Sequence, residues 1–335
     1  MYLDFFGLKE YPFQLKPDPD FLFMSKGHAQ AKSYLDFSIL NRDCFVIITG
    51  EIGAGKTTLI QKLISELNED VIIAKISQTQ LDEVEFLQAI LVEFGHNPFA
   101  AKKVELLHML NTFLAEQYKK GIRVLLIVDE AQNLNMRVLE EIRLLSGMEL
   151  NKENLLNVIL VGQPELIPIL NSKELEQLVQ RVRLRFHLKG MSKEEMRAYI
   201  EHRLKKAGLD YSGLFPVRHM SLLYEYTGGI PRLINILCDT ILVGAYSSNV
   251  KKININIIRS ALEELNWQPR TGYRKALPHD NGKDHLDSSK VDVKAYQENK
   301  DSSLNSNTTR VGMSFIDTIN SLDLDLAEEN DGKDS

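Results

Sequence analysis

Residues Gly50 to Thr57 read G-E-I-G-A-G-K-T, between the apolar run Cys44-Phe-Val-Ile-Ile-Thr49 and the helical-period segment Thr58-Leu-Ile-Gln-Lys-Leu-Ile-Ser-Glu-Leu67. A strand, a glycine-rich turn and a helix in that order are the setting of a phosphate-binding P-loop. The glycines let backbone N–H groups converge on phosphate oxygens, and the helix N-terminus adds a favourable dipole. Nucleotide contacts are therefore expected from Gly50, Glu51, Ile52, Gly53, Ala54, Gly55, Lys56, Thr57 and Thr58. Lys56 is placed to reach the β- and γ-phosphates, and the Thr57 hydroxyl to coordinate Mg²⁺.

Outward from this loop, apolar β-branched runs recur at 44–49, 71–76, 122–128, 157–161 and 184–188. Helical-period segments lie between most of them, at 56–68, 83–95, 103–119 and 135–146. Strands alternating with helices predict an α/β domain, a parallel sheet sandwiched by crossover helices, over residues 36–190. From Met191 the pattern becomes all-helical. Ser192-Lys-Glu-Glu195 reads as a capping box, and further helices fit 216–226, 230–246 and 254–266. A small helical lid domain is expected over 191–267. The first 35 residues carry Phe5, Phe6, Tyr11, Phe13, Phe21 and Phe23 among prolines, which predicts a turning segment packed on the core near the P-loop. Residues 268–335 hold nine Lys/Arg against thirteen Asp/Glu and few large apolar side chains, so a disordered polar tail is expected. Within it, Met313, Phe315, Ile316, Ile319 and Leu322 fit one helical stripe, a docking helix or a chance cluster.

The 335 residues are 44% hydrophobic with a net charge of −6, so no global basic field points to nucleic acid. No apolar run approaches the roughly 20 residues needed to cross a bilayer, and the N-terminus lacks a basic signal-peptide region. Cys44 and Cys238 have no metal-like spacing and sit in apolar segments, which suits buried reduced thiols in a cytoplasmic protein.

Val124-Leu-Leu-Ile-Val-Asp-Glu130 places two carboxylates at the C-terminal edge of a parallel strand, where such sheets bind ligands. Asp129 would bind Mg²⁺, and Glu130 would orient and polarise the water attacking the γ-phosphate. Many enzymes that transfer phosphate to a small molecule lack a carboxylate at the position of Glu130, because their nucleophile is the substrate and not water. Gln163 ends the next apolar strand and could sense the γ-phosphate; Pro164 after it also suits a helix start. Gln180-Arg-Val-Arg-Leu-Arg-Phe-His187 alternates basic and apolar residues. It fits an edge strand with a charged outer face, or an arginine finger reaching the nucleotide of a neighbouring subunit. Arg181 is the first choice for that finger, with Arg185 and Arg183 as the alternatives, and a homo-oligomer follows from it. Arg232, after Gly228-Gly229-Ile-Pro231, opens a lid helix and would either couple the lid to the phosphates or stand exposed.

Gly50–Thr57, Val128-Asp-Glu-Ala-Gln-Asn-Leu134, Leu160-Val-Gly-Gln-Pro-Glu-Leu166 and Gly229-Ile-Pro-Arg-Leu-Ile-Asn235 together resemble, in order and spacing, the ExeA/GspA-type AAA+ ATPases. The opening Phe5-Phe-Gly-Leu-Lys-Glu-Tyr-Pro-Phe13 resembles their N-terminus, so the resemblance covers about residues 1–266. It implies a P-loop NTPase fold with a helical lid, ATP and Mg²⁺ as ligands, and service to envelope machinery: a secretion system, a pilus or an exopolysaccharide exporter. It also implies roles: Lys56 and Thr57 in Walker A, Asp129 and Glu130 in Walker B, Gln163 as sensor 1, Arg181 as finger and Arg232 as sensor 2. Secretin-assembly members continue into a transmembrane helix and a peptidoglycan-binding domain, whereas this sequence ends in a polar stretch. The expectation is therefore a pilus or exopolysaccharide branch, cytoplasmic or peripheral to the inner membrane, meeting the membrane only through partners. Two rival readings differ in class. One is a DNA-associated regulator, for which only Arg197-Ala-Tyr-Ile-Glu-His-Arg-Leu-Lys-Lys206 offers positive charge. The other is a nucleotide switch with little turnover.

Overall fold

A computed structural model describes residues 2–40, 45–67, 70–209 and 213–270. Cys44 and the expected tail from residue 271, with its Met313–Leu322 stripe, lie outside the described residues.

The chain opens with a single helical turn, α1 (Leu3–Phe6), then α2 (Lys26–Leu40). A parallel α/β layer follows: β1 (Phe45–Gly50), α3 (Lys56–Glu66), β2 (Val71–Ile76), α4 (Glu83–Glu93), α5 (Lys103–Lys119), β3 (Arg123–Val128) and α6 (Met136–Leu145). A two-stranded hairpin, β4 (Glu149–Leu150) and β5 (Glu153–Asn154), leads into β6 (Asn157–Gly162). Two short helices, α7 (Leu166–Leu170) and α8 (Glu176–Arg181), precede β7 (Leu184–Leu188). The rest is helical: α9 (Lys193–Lys206), α10 (Met220–Thr227), α11 (Pro231–Ser247) and α12 (Ile255–Glu264).

The five long strands form one parallel sheet in the order β2-β3-β6-β1-β7. β6 is thus inserted between the strand that leads into the P-loop and the strand that ends at Asp129. Central strands β1 and β6 are buried along their whole length, which is why they read in sequence as unbroken apolar runs. The two-residue period of a strand sends alternate side chains to opposite faces. Phe45, Ile47, Leu126, Val128, Val158 and Leu160 point into the core built with α4, α5 and α6. Val46, Ile48, Leu125, Ile127, Ile159 and Val161 point into the opposite core, built with α2 and α3. Edge strand β7 shows the contrast, with Leu184 and Phe186 half-buried and Arg183, Arg185 and His187 exposed.

The helical part has its own core, in which Ile200, Leu223, Leu237, Ile241, Ile258 and the thiol of Cys238 are buried. The expected capping box is present: Ser192 Oγ accepts from Glu195 N–H, and Glu195 returns a carboxylate oxygen to Ser192 N–H. The N-terminal aromatics pack with the helical part. Tyr2, Phe6, Leu8, Phe13 and Phe21 are buried in the helical core and not on the sheet. The physical reason is available apolar surface, since both sheet faces are already covered by their own helices. Only the later part of that segment, around residues 14–23, reaches the P-loop. The boundary expected at 35/36 falls inside α2.

Leu126, on a central strand, has no exposed surface. Replacing it with Ala should cost about 2–5 kcal/mol and lower the urea midpoint of the α/β signal. Leu144→Ala, at a side chain half exposed on α6, should stay within about 0.5 kcal/mol of wild type.

Candidate functional site

The site is assembled where β1, β3 and β6 end, at the C-terminal edge of the sheet. Glycines shape the loop after β1: Gly53 and Gly55 have φ of 81° and 101°, the left-handed region that a side chain disfavours. Space also excludes a side chain at Gly53, where a Cβ would lie 2.3 Å from Cβ of Arg232. Lys56, first residue of α3, is only 7% exposed. Its ammonium donates to the carbonyls of Gly50 at 2.6 Å and Glu51 at 3.1 Å. Burial pushes its pKa down, opposed by the carboxylates of Glu130, Asp129, Glu165 and Glu51.

Beside it, the Thr57 hydroxyl donates to Asp129 Oδ2 at 3.1 Å. Asp129 Oδ1 accepts from Glu130 N–H at 3.0 Å. Glu130 itself has φ 53°, unusual for a residue with a side chain, and turns the chain sharply off the strand into a short 3-10 turn at 131–133. Two amides hold its carboxylate: Gln132 Nε2 at 2.6 Å and Gln163 Nε2 at 3.0 Å, both on Oε2. Gln132 in turn accepts from Gln163 N–H at 2.9 Å. Burial would raise the Glu130 pKa, but the two amide donors and nearby Lys56 outweigh it and hold the carboxyl below the usual range.

The lid closes the other side. Arg232, second residue of α11, donates its backbone N–H to Gly53 O at 3.2 Å, and its side chain lines the same cavity as Lys56, Thr57, Glu130 and Gln163. A further wall comes from residues 14–18, a strap held by the lid. Arg203 on α9 is buried between the rings of Phe21 and Tyr199 and donates to the carbonyls of Pro12 and Gln14. Asn235 on α11 donates to Gln14 O at 3.1 Å and accepts from Tyr199 Oη–H at 2.7 Å. Arg270, beyond α12, pairs with Glu51 at 2.9 Å on the exposed rim of the loop.

Lys56, Thr57, Asp129, Glu130, Gln163 and Arg232 are therefore brought together. Arg181 is not: its guanidinium lies against Gly147 and Ser146 at the end of α6. Arg185 stands on the exposed face of β7, and Arg183, just before the strand, is exposed with its guanidinium 5.9 Å from the centre of the Phe37 ring. Sequence reasoning missed Gln132, Arg203 and His28. The signal for Gln132 was present in its position two residues after Glu130.

A Mg²⁺ ion suits the oxygen set. Thr57 and Asp129 offer a hydroxyl and a carboxylate side by side, and the described residues contain no cluster of three His, Cys, Asp or Glu. Mg²⁺ keeps waters and takes substrate phosphate oxygens with only one or two protein ligands, unlike ions that need an all-protein cage.

Residues 40–170 match the family described as an AAA domain. General secretion pathway protein A of Aeromonas hydrophila is 39% identical over 255 residues, covering 76% of this chain and 46% of that relative. This chain thus spans about half the length of the curated relative it matches. Among solved structures, the ORC2 protein of Aeropyrum pernix in its ADPNP-ADP complexes superposes with a TM-score of 0.59 at 20% identity, covering 81% of this chain and 76% of that one. Cdc6p of Pyrobaculum aerophilum gives 0.59 at 17% identity, covering 80% and 74%. At such identities the likeness is one of fold.

The two amide donors generate a test of the Glu130 environment. In a Gln132→Ala/Gln163→Ala variant, burial remains and its main opposition is gone. The ¹³C carboxyl titration of Glu130, assigned by difference with Glu130→Gln, should move to a higher midpoint than in wild type.

Proposed function

Since this chain belongs to the ExeA/GspA-type AAA+ ATPases over the residues it shares with them, we propose that it hydrolyses ATP with Mg²⁺ and uses the cycle to drive assembly or export of an envelope structure. The reading is carried by one observation: Lys56, the Thr57–Asp129 pair and the Glu130–Gln163 pair converge at the C-terminal edge of three adjacent strands.

In this reading the loop amides from Gly53 to Thr57 and the Lys56 ammonium bind the β- and γ-phosphates. Phosphate oxygens would replace the two loop carbonyls that Lys56 now satisfies. Thr57 and Asp129 would hold Mg²⁺, which neutralises charge on the phosphate oxygens when bound. Glu130 handles the water. Both amides occupy Oε2, so Oε1 faces no amide of this pair and can accept from a water proton. A carboxylate held below its usual range is a weak base. Glu130 therefore orients and polarises the water more than it strips a proton from it. Gln163 ties Glu130 to the strand between the P-loop strand and the Asp129 strand, which suits a phosphate sensor. Arg232 lies against the loop from the lid, so closure of the lid and occupancy of the loop are linked through it.

Arginine in trans from a second copy would complete the charge balance, and the exposed edge strand with Arg183 and Arg185, together with Arg181 at its entrance, is the surface for it. A secretion-system partner is proposed from the relative's name, General secretion pathway protein A, and the pilus and exopolysaccharide alternatives from the sequence resemblance. Among the described residues no helix is long and apolar enough to cross a membrane.

Phosphate release by the purified chain tests the enzyme reading. Lys56→Ala should reduce turnover to background. Glu130→Gln should keep nucleotide binding and lose on the order of 100-fold or more in kcat. Wild-type release no greater than that of Lys56→Ala, alone and with envelope partners, would exclude an ATPase.

A further inference from the structure

Beside the loop, on α2, stands a histidine that lines the same cavity and that the reading above does not use. His28 is 2% exposed and Ser25 is 5% exposed. Ser25 opens α2: its carbonyl accepts from Ala29 N–H, and its hydroxyl oxygen lies 3.3 Å from His28 N–H and 2.7 Å from His28 Nδ1. The other ring nitrogen, Nε2, lies 3.1 Å from the carbonyl of Ala54 inside the P-loop. A carbonyl can only accept, so Nε2 carries the proton. In the neutral ring Nδ1 is then an acceptor, and the Ser25 hydroxyl donates to it. Burial lowers the His28 pKa against the pull of the Ala54 carbonyl and of Glu195 on α9, which keeps the ring neutral.

We propose that His28, with its tautomer set by Ser25, is a positioning residue for the phosphate-binding loop. This rests on the nucleotide reading of that loop. The argument lies in one peptide plane. Ala54 O and Gly55 N–H belong to the same rigid amide and point in opposite directions. Holding Ala54 O towards α2 therefore aims Gly55 N–H away from α2. Gly55 lines the cavity with Lys56 and Thr57.

Little else restrains this plane. It is flanked by Ala54 and by Gly55, whose φ of 101° marks a position where glycine leaves the backbone soft. Ala54 is itself buried, so its carbonyl needs a donor from within the fold. His28 supplies it at close range: a Cβ on Gly55 would come within 2.6 Å of Nε2. Without the ring, the carbonyl is left buried and unpaired, and the peptide gains by rotating, which turns a phosphate-facing donor away. His28 lines the same cavity as Gly55, and it acts on the loop through the Ala54 carbonyl that it holds.

The test uses the full chain and a fluorescent ADP with Mg²⁺, comparing wild type with His28→Ala, Ser25→Ala, His28→Gln and Lys56→Ala. His28→Ala should bind about ten-fold more weakly, the effect of one lost hydrogen bond to a buried group. Ser25→Ala, which keeps the ring but frees its tautomer, should lose about three-fold. His28→Gln, whose amide can donate to Ala54 O, should return to within about three-fold of wild type. A second readout is the rise in melting temperature on adding MgADP, which scales with affinity. It should shrink in His28→Ala beyond any change in the nucleotide-free melting temperature.

If His28→Ala melts lower but keeps wild-type affinity, His28 is a packing residue and the proposal fails. It fails also if His28→Gln folds and binds no better than His28→Ala. Should His28→Ala not fold, Ser25→Ala decides, and unchanged affinity overturns the proposal. Wild-type binding no tighter than that of Lys56→Ala would instead sink the nucleotide reading itself.

Discussion

An ammonium group almost out of contact with water has to be surrounded by oxygen, and Lys56 is such a group. The loop from Gly50 to Gly55 bends so that two of its carbonyls reach that nitrogen, and carboxylates of the neighbouring strand ends face it. Much of the site follows from this one requirement. Positive φ at Gly53 and Gly55 permits the bend. The parallel sheet order puts β3, with Asp129 and Glu130, one strand away from β1, with β6 in the gap. The same geometry makes the loop a receptor for phosphate oxygens, since a cation satisfied by weak carbonyl acceptors gains when anionic oxygens replace them.

Around that charge the protein has built two supports of different chemistry. On the Asp129 side, a triangle of Glu130, Gln132 and Gln163 ties the ends of β3 and β6 together through amide donors. From α2, Ser25 and His28 brace the loop at the Ala54 carbonyl. The lid joins them through main chain, Arg232 N–H to Gly53 O, so its position is registered by the loop backbone as well as by a side chain.

The fold was legible because its determinants are local or periodic. Central strands buried on both faces leave continuous apolar runs, and the P-loop, the Asp129–Glu130 strand end and the Ser192 capping box each carry their pattern within a few residues. What was not legible depends on meetings between distant segments. Nothing in the run of aromatics from Tyr2 to Phe23 says which core will accept them; that is decided by the helices already covering both faces of the sheet. His28 gives no sign in sequence that Ala54 will lie beside it, and Arg203 none that its charge will be met by carbonyls and aromatic faces. Pro164 suited a helix start, but the extents of the short helices α7 and α8 escaped because five or six residues cannot establish a period. The three arginines around β7 could be read as basic and surface-directed, but a role across an interface is not written in one chain.

The way Arg203 holds residues 12 and 14 has a practical corollary. Tyr2 is anchored as well, its hydroxyl donating to Asp239 on α11 and its ring buried among lid side chains. The first two dozen residues are therefore upholstery of the lid and, at residues 14–18, wall of the cavity. Bulk fused ahead of Tyr2 would load the same helices that carry Arg232. For this protein, the end chosen for an affinity tag is itself a mechanical intervention at the phosphate site.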